Sequence, residues 1–364
     1  YLGRKYNLKR FEFSQSYFMF WDKIEKANYF LENIIRTSVE PWNSRLIMYL
    51  LENPIQDGGQ WDMFVNLIRK YGVVPQTEMP ESFQSSKSMR MNRMITRKLR
   101  EFAKTLREAY NEGKNLTVLH RMKKEMLAVI YQMLVIHLGA PPVRFDWQVR
   151  DKDKKFHRFE NLTPKRFFSD HVGLNLDDFT CLINCPMSDK TYNELYTVEY
   201  LGNVVGGDII RYLNLPSSRL KECAVQSIRD DDPVWFGCDV GKYFHRDLGV
   251  MDMDLFDFEL FYGTNFPMNK ADRLEYGDSQ MTHAMLFTGV DLDKGGKPRK
   301  WRVENSWGNK RGDKGYDIMT DKWFDEYNYE IVVHKKYLFE KELEIYQREP
   351  VKLSPWDPMG SLAR

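Results

Sequence analysis

Cysteine is nearly missing from this chain: 364 residues carry four, Cys181, Cys185, Cys223 and Cys238. A chain of this length buries a sizeable core, so stability calls for no disulfides. Cys181 and Cys185 are spaced C-x3-C, with no second cysteine pair or histidine cluster nearby. That argues against zinc, and no metal or cofactor is called for. All four read as reduced thiols, which favours a cytoplasmic location. An apolar run long enough to cross a bilayer is also missing, so no membrane contact is expected. So is a strong charge of either sign: 54 Lys and Arg stand against 52 Asp and Glu. Any affinity for nucleic acid must then come from a local patch. There is no internal repeat and no low-complexity segment. Two N-x-[ST] triplets, at Asn115 and Asn161, are of a kind that arises by chance and would be silent in the cytosol. The chain opens YLGRKYNLKR, without an initiating Met or a signal peptide. It is expected to have been cut from something longer.

What is present is an ordinary globular balance, 42% hydrophobic and 29% charged, with aromatics high at 14%. Residues 11–36 carry apolar residues at helical spacing, with Ser14 or Ser16 as the cap. Pro54 ends the helix before it, and Asp57-Gly58-Gly59 permits a tight turn. Residues 60–72 form a helix stopped by Gly72. Residues 84–138 read as mostly helical. Arg90, Arg93, Arg97, Arg100, Lys104 and Arg107 recur along one face there, with Met91, Ile95, Phe102 and Leu106 on the other. Such a strip is either a phosphate-binding surface or, as charge runs usually are, a solvated helix face. The segment KTYNELYTVEYLGNVVGG reads as a strand ending at Gly206-Gly207. From residue 233 the chain turns β-rich. PVWFGCDVG, THAMLFTGVDL, RKWRVENSWG and YEIVVHKKY read as strands, and DKGGKP as a turn.

His283 and Asn305 lie 22 residues apart, at the ends of two of these strands. The Gly-Gly turn at 295–296 would bring those ends side by side. An asparagine oxygen accepting one ring N–H fixes the histidine tautomer and frees the other nitrogen to face a nucleophile. Trp307 would shield that bond from water. By itself a histidine at a strand start is more often a packed residue.

The context shifts that balance. THAMLFTGV, WRVENSWG and GDKGYDIM resemble the His and Asn segments of papain-like cysteine peptidases. NPIQDGGQWDMFVNLIRKYGVVPQTEMPES resembles the Gly-Gly loop and following helix of that family. FEFSQSYFMFWDKIEKANYF, LYTVEYLGNVVGG, VWFGCDVGK and PWDPMG resemble its bleomycin-hydrolase branch, from about residue 11 to the end. The resemblance implies an α+β papain-like fold, a helical half plus a β-barrel-like half, with a helical insertion and an extended C-terminal arm. The expected segments are 1–83, the helical half; 84–140, the insertion; 141–335, the remaining core with His283 and Asn305; and 336–364, the arm. It further implies a cysteine-type aminopeptidase acting on peptides with a free N-terminus and on related amides. His283 and Asn305 would be catalytic, with Gly58, Gly59 and Arg364 on the substrate and Trp307 over the pair. A homohexamer is also implied. The family's nucleophile segment, with its cysteine and oxyanion glutamine, has no match here. The nucleophile is therefore expected upstream of Tyr1, and the 364-residue chain alone is expected to be inactive. The alternatives are a non-catalytic relative that binds peptides or nucleic acid through the helix at 90–107, and a purely structural subunit.

Overall fold

Helix formation near the N-terminus follows the apolar spacing. The Ser14 hydroxyl caps the helix Gln15–Arg36 by accepting the Tyr17 N–H at 3.0 Å. Tyr17, Phe20, Ala27, Leu31 and Ile34 then form one buried stripe. The computed structural model describes residues 1–363. They form two compact units, a helical one of Tyr1–Leu176 with Tyr200–Ile209 and a sheet-based one of Asp177–Glu199 with Ile210–Leu362.

In the helical unit, Met89–Asn111 and Leu116–Leu138 pack on Gln15–Arg36 and on each other. Met91, Ile95, Leu99, Ala103 and Leu106 form the buried face of Met89–Asn111. The basic strip lies on the other side, but part of it is structural. Arg100 donates to Leu51 O and Glu52 O at 2.9 and 2.7 Å, satisfying the last carbonyls of the helix Arg45–Glu52. Arg107 donates to Thr37 O and Glu40 O. Lys104 pairs with Glu108 one turn on. A hairpin of β1 (Phe145–Arg150) and β2 (Phe156–Leu162) completes this unit. Trp147 stacks on Phe159 across it, with ring centroids 5.2 Å apart.

Gly72 ends the helix Trp61–Tyr71 at φ +74°. A Cβ there would lie 2.3 Å from the Pro164 carbonyl carbon and oxygen. Gly72→Ala is therefore expected to destabilise the fold by about 1–3 kcal/mol. A lowered urea midpoint checks this; an unchanged midpoint would show that the backbone yields freely.

The second unit is built on one sheet. Its strands are β3 (Phe179–Ile183), β4 (Glu194–Val198), β5 (Tyr212–Asn214), β6 (Val234–Cys238), β7 (Phe244–His245) and β8 (Val250–Met251). They continue with β9 (His283–Leu292), β10 (Pro298–Glu304), β11 (Tyr316–Thr320), β12 (Asn328–His334) and β13 (Val351–Leu353). The order is β13-β4-β5-β3-β12-β6-β9-β10-β11-β8-β7. All four segments read as strands from residue 233 onward are strands. β9 and β10 form a hairpin closed where Asp293 N–H meets Lys297 O at 2.9 Å. At the centre Phe236 stacks flat on Phe287 at 3.8 Å, and Trp301 and Phe324 pack on Phe287 at 5.0 and 5.5 Å.

The segment read as one strand up to Gly206-Gly207 is a strand only over Glu194–Val198. Beyond it, Tyr200 and Gly206 take positive φ, and the chain joins the helical unit. There the Asn66 amide holds the backbone: its Nδ2 donates to Asp208 O at 2.9 Å and its Oδ1 accepts Asp208 N–H at 3.0 Å. Asn203 donates to Met63 O at 3.1 Å. Side-chain amides thus tie this stretch to the helix Trp61–Tyr71, and Gly207 N–H closes a turn on Val204 O at 3.0 Å where Tyr and Val propensity suggested a strand.

The tail runs back along the second unit. After the helix Glu340–Tyr346, β13 pairs in parallel with β4 at the sheet edge. A 3-10 turn, Pro358–Ala363, then buries Met359 and Leu362. Leu362 Cδ2 stands 3.2 Å from where a Cβ on Gly237 would be, so that glycine makes room for the tail. Gly237 pairs with Ala284, the neighbour of His283.

Candidate active site

His283 opens β9, a strand flanked by β6 on one side and β10 on the other. Asn305 follows directly on the end of β10. Because the two strands form one hairpin, the side chains meet: His283 Nε2 lies 3.1 Å from Asn305 Oδ1. The Asn305 N–H donates to Gly315 O at 3.2 Å, which fixes the backbone of the loop after β10. Trp307 covers the pair, its ring 4.7 Å from the imidazole and tilted by 30°. Arg246 lies over the Trp307 ring at 5.5 Å. Trp307 is 39% exposed, so part of its surface meets solvent. Burial lowers the His283 pKa from its ordinary value, opposed by the Asn305 hydrogen bond and the negative charge of Asp317.

Asp317 escaped the sequence reading. Its carboxylate accepts the Asn305 Nδ2–H at 3.2 Å and is 3% exposed. Burial raises its pKa, opposed by the Asn305 hydrogen bond and by His283. The only sequence signal is an aspartate directly after the Gly-Tyr pair, where a strand begins.

Gly58 and Gly59 lie in the helical unit, on a loop held by two lysines. Lys23 donates to Gln56 O at 2.5 Å and pairs with Asp57 at 2.7 Å. Lys26 donates to Gln56 O and Gly58 O at 2.9 and 2.5 Å. Burial and the like charge of Lys26 push the Lys23 pKa down to about 8, against Asp22 and Asp57. Burial works to raise the Asp57 pKa, but Lys23, Ser88 and Asn92 outweigh it and take it to about 2. Ser88 and Asn92 bind Asp57 at 2.5 and 2.9 Å, so the start of the helix Met89–Asn111 braces this loop. A Cβ at Gly59 would meet nothing within 4 Å. Arg364 lies outside the described residues.

All four cysteines are buried, and none forms a disulfide. Burial pushes Cys185 and Cys223 up to about 12. Cys238 stands opposite His283 in the β6–β9 register, but complete burial puts its thiol well above the ordinary range. Among the described residues no group of three or more His, Cys, Asp or Glu is arranged to hold a metal ion, and no helix is long and apolar enough to cross a membrane.

A helical unit, a large mixed sheet, and a His–Asn pair at the ends of adjacent strands define the α+β fold of papain-like peptidases. The chain belongs to the Peptidase C1-like family, whose profile matches residues 1–360. It is 50% identical over 356 residues to aminopeptidase C of Listeria monocytogenes, covering 98% of this chain and 80% of that protein. It is 47% identical over 367 residues to bleomycin hydrolase of Homo sapiens, covering 99% and 81%. The crystal structure of PepW from Lactobacillus rhamnosis superposes with a TM-score of 0.97 at 47% identity, again covering 99% and 81%.

Proposed function

We propose that the protein is a cysteine-type aminopeptidase that releases N-terminal residues from peptides and hydrolyses related amides. The observation that carries this is the shielded His283–Asn305 hydrogen bond in a chain 47–50% identical to aminopeptidase C and bleomycin hydrolase over nearly its full length. In this reading a cysteine thiolate, paired with protonated His283, attacks the carbonyl of the first residue. A tetrahedral intermediate forms. Its C–N bond breaks as His283 gives its proton to the leaving amine. Water, deprotonated by His283, then releases the acyl group and restores the thiolate. Asn305 holds the ring throughout, and Trp307 keeps water from the His–Asn bond. Burial holds Cys185, Cys223 and Cys238 as thiols, and no cysteine here matches the nucleophile segment of papain-like peptidases, so the 364-residue chain by itself is expected to hydrolyse nothing. Thiol-reagent-sensitive hydrolysis by that chain would refute this.

Gly58 and Gly59 are proposed to lie along the substrate backbone, and Arg364 to meet the substrate's free amine. The resemblance of NPIQDGGQWDM to the Gly-Gly loop of papain-like peptidases and of PWDPMG to the ending of the bleomycin-hydrolase branch supports this. We read 1–83 as part of the helical half, 84–140 as an insertion, 141–335 as the remaining core and 336–364 as the arm. A cytoplasmic homo-oligomer, by resemblance a hexamer, is part of the proposal. An exposed apolar cluster supports assembly: Leu260, Phe261, Tyr262 and Phe266 are each at least 60% exposed.

Arg90, Arg93 and Arg97 remain exposed, which keeps a nucleic-acid reading of the basic strip in view. The carbonyl bonds of Arg100 and Arg107 favour a structural face instead. Arg93→Glu with Arg97→Glu is expected to leave kcat/KM unchanged, and the parent protein to bind no single-stranded DNA or RNA at low salt. Binding that falls steeply with salt and is lost in this double variant would establish the other reading.

A further inference from the structure

Asparagine is an ambiguous orienter of histidine. Its amide presents an acceptor and a donor of nearly equal size, and a half-turn about the last side-chain bond exchanges them. Reversed, Nδ2 would face His283 Nε2 and favour the opposite tautomer, with the proton on the nitrogen meant for the nucleophile. Something must break the tie. Asp317 does so on the far side of the amide. A carboxylate only accepts, so the 3.2 Å contact between Asn305 Nδ2 and Asp317 Oδ2 requires the amide nitrogen to point there. Oδ1 is left for the ring, 3.1 Å from Nε2, which must then donate.

We propose that Asp317 is a positioning residue of this site, whose carboxylate locks the Asn305 amide with its oxygen toward His283. The proposal rests on the peptidase reading only in naming what the histidine is positioned for.

The surroundings of Asp317 are shaped for a carboxylate in this place. Its backbone is fixed by pairing with Val303 across β10–β11. Gly249 and Gly312, both at positive φ, flank it. A Cβ on either would lie 2.6 or 2.8 Å from Asp317 Oδ1. Those glycines leave space that any other residue would take from the carboxylate. The charge matters as well as the hydrogen bond. Asp317 is buried, so its field reaches His283 through protein and not through water, favouring the imidazolium. The other titratable groups around the relay are few. Cys238 faces His283 from β6 and is held neutral by burial. Asp239 beside it is engaged with Ser279 and Thr282. Arg246 lies beyond Trp307. His245 and Asp247 lie on the turn that bonds to Gly249 and Gly312, Asp313 flanks from the loop before β11, and Tyr316, the first residue of β11, carries Arg302 over its ring at 3.8 Å.

The test is NMR of the imidazole of His283 in the 364-residue chain, which requires no catalysis. In the parent chain the neutral ring is expected as the Nε2–H tautomer by 15N shifts. Asp317→Asn keeps the shape but removes the charge and lets the amide turn. In this variant the His283 titration is expected to move to lower pH by about 0.5–1, with a mixture of tautomers. In the peptidase carrying its nucleophile, kcat/KM is expected to fall about 10-fold with KM within twofold, and the alkaline limb of its pH profile to move down with the ring. A merely structural role would lower the folded fraction and leave the limb in place. An unmoved titration in folded Asp317→Asn overturns the proposal. So does an Nδ1–H tautomer in the parent chain, a result that stands even where the variant fails to fold. Failure of the peptidase reading looks different: normal tautomer and titration, but no amide hydrolysis by the protein carrying its cysteine.

Discussion

His283→Ala, in the peptidase carrying its nucleophile, is expected to lower kcat/KM for release of an N-terminal residue by about 10⁴-fold or more. The ring is asked for three things. It holds the thiolate as an ion pair, gives a proton to the leaving amine, and takes one from water. Alanine supplies none of them. Asn305→Ala is expected to cost less, about 10–10³-fold, because the ring remains and only its orientation is lost. The folded state should barely notice the first change. The His283 side chain is only partly buried, and its backbone pairing with Cys238 is independent of the imidazole. Steady-state kinetics beside a thermal melt make the check. Activity above a tenth of the parent's would remove His283 from catalysis, whereas an equal loss of activity and stability would make it a packing residue.

The second large effect is on stability. Phe287→Ala is expected to cost about 3–5 kcal/mol. Phe287 is fully buried on β9, stacked on Phe236 and in contact with Trp301 and Phe324, all 0–1% exposed. Those rings come from β6, β10 and the helix Asp321–Tyr327, so no single neighbour can move in to fill the space. The cavity would open four residues along the strand from His283. Urea unfolding followed by tryptophan fluorescence measures the loss, since Trp301 lines the cavity. A cost below 1 kcal/mol would mean that this ring cluster is not the centre of the sheet unit.

How much of this the sequence discloses depends on the range of the contacts. The strands β6, β9, β10 and β12 are legible because apolar and β-branched residues run together between turn signals. The His283–Asn305 contact is legible because both residues belong to one hairpin, so a short turn fixes their meeting. Asp317 was not, since its role depends on the β10–β11 register and on space kept by Gly249 and Gly312. Lys23 and Lys26 were missed for a related reason. Charged residues on a helix read as a solvent face, yet here they point at the carbonyls of a loop some thirty residues away. The basic strip shows the same limit from the other side. Its spacing correctly gave one face of a helix, while the carbonyl partners of Arg100 and Arg107 come from distant segments that no local pattern announces. The strand expected up to Gly206-Gly207 ends at Val198, because Asn203 and Asn66 tie the following stretch to the helix Trp61–Tyr71, contacts that no local pattern announces.

The most direct test is product analysis. A ten-residue peptide with a free N-terminus, and the same peptide acetylated, would be incubated with the protein carrying its nucleophile and followed by mass spectrometry. The account predicts successive loss of single residues from the free end, no reaction of the acetylated peptide, and abolition by thiol alkylation or by His283→Ala. Internal cleavage, or equal cleavage of both peptides, would contradict it.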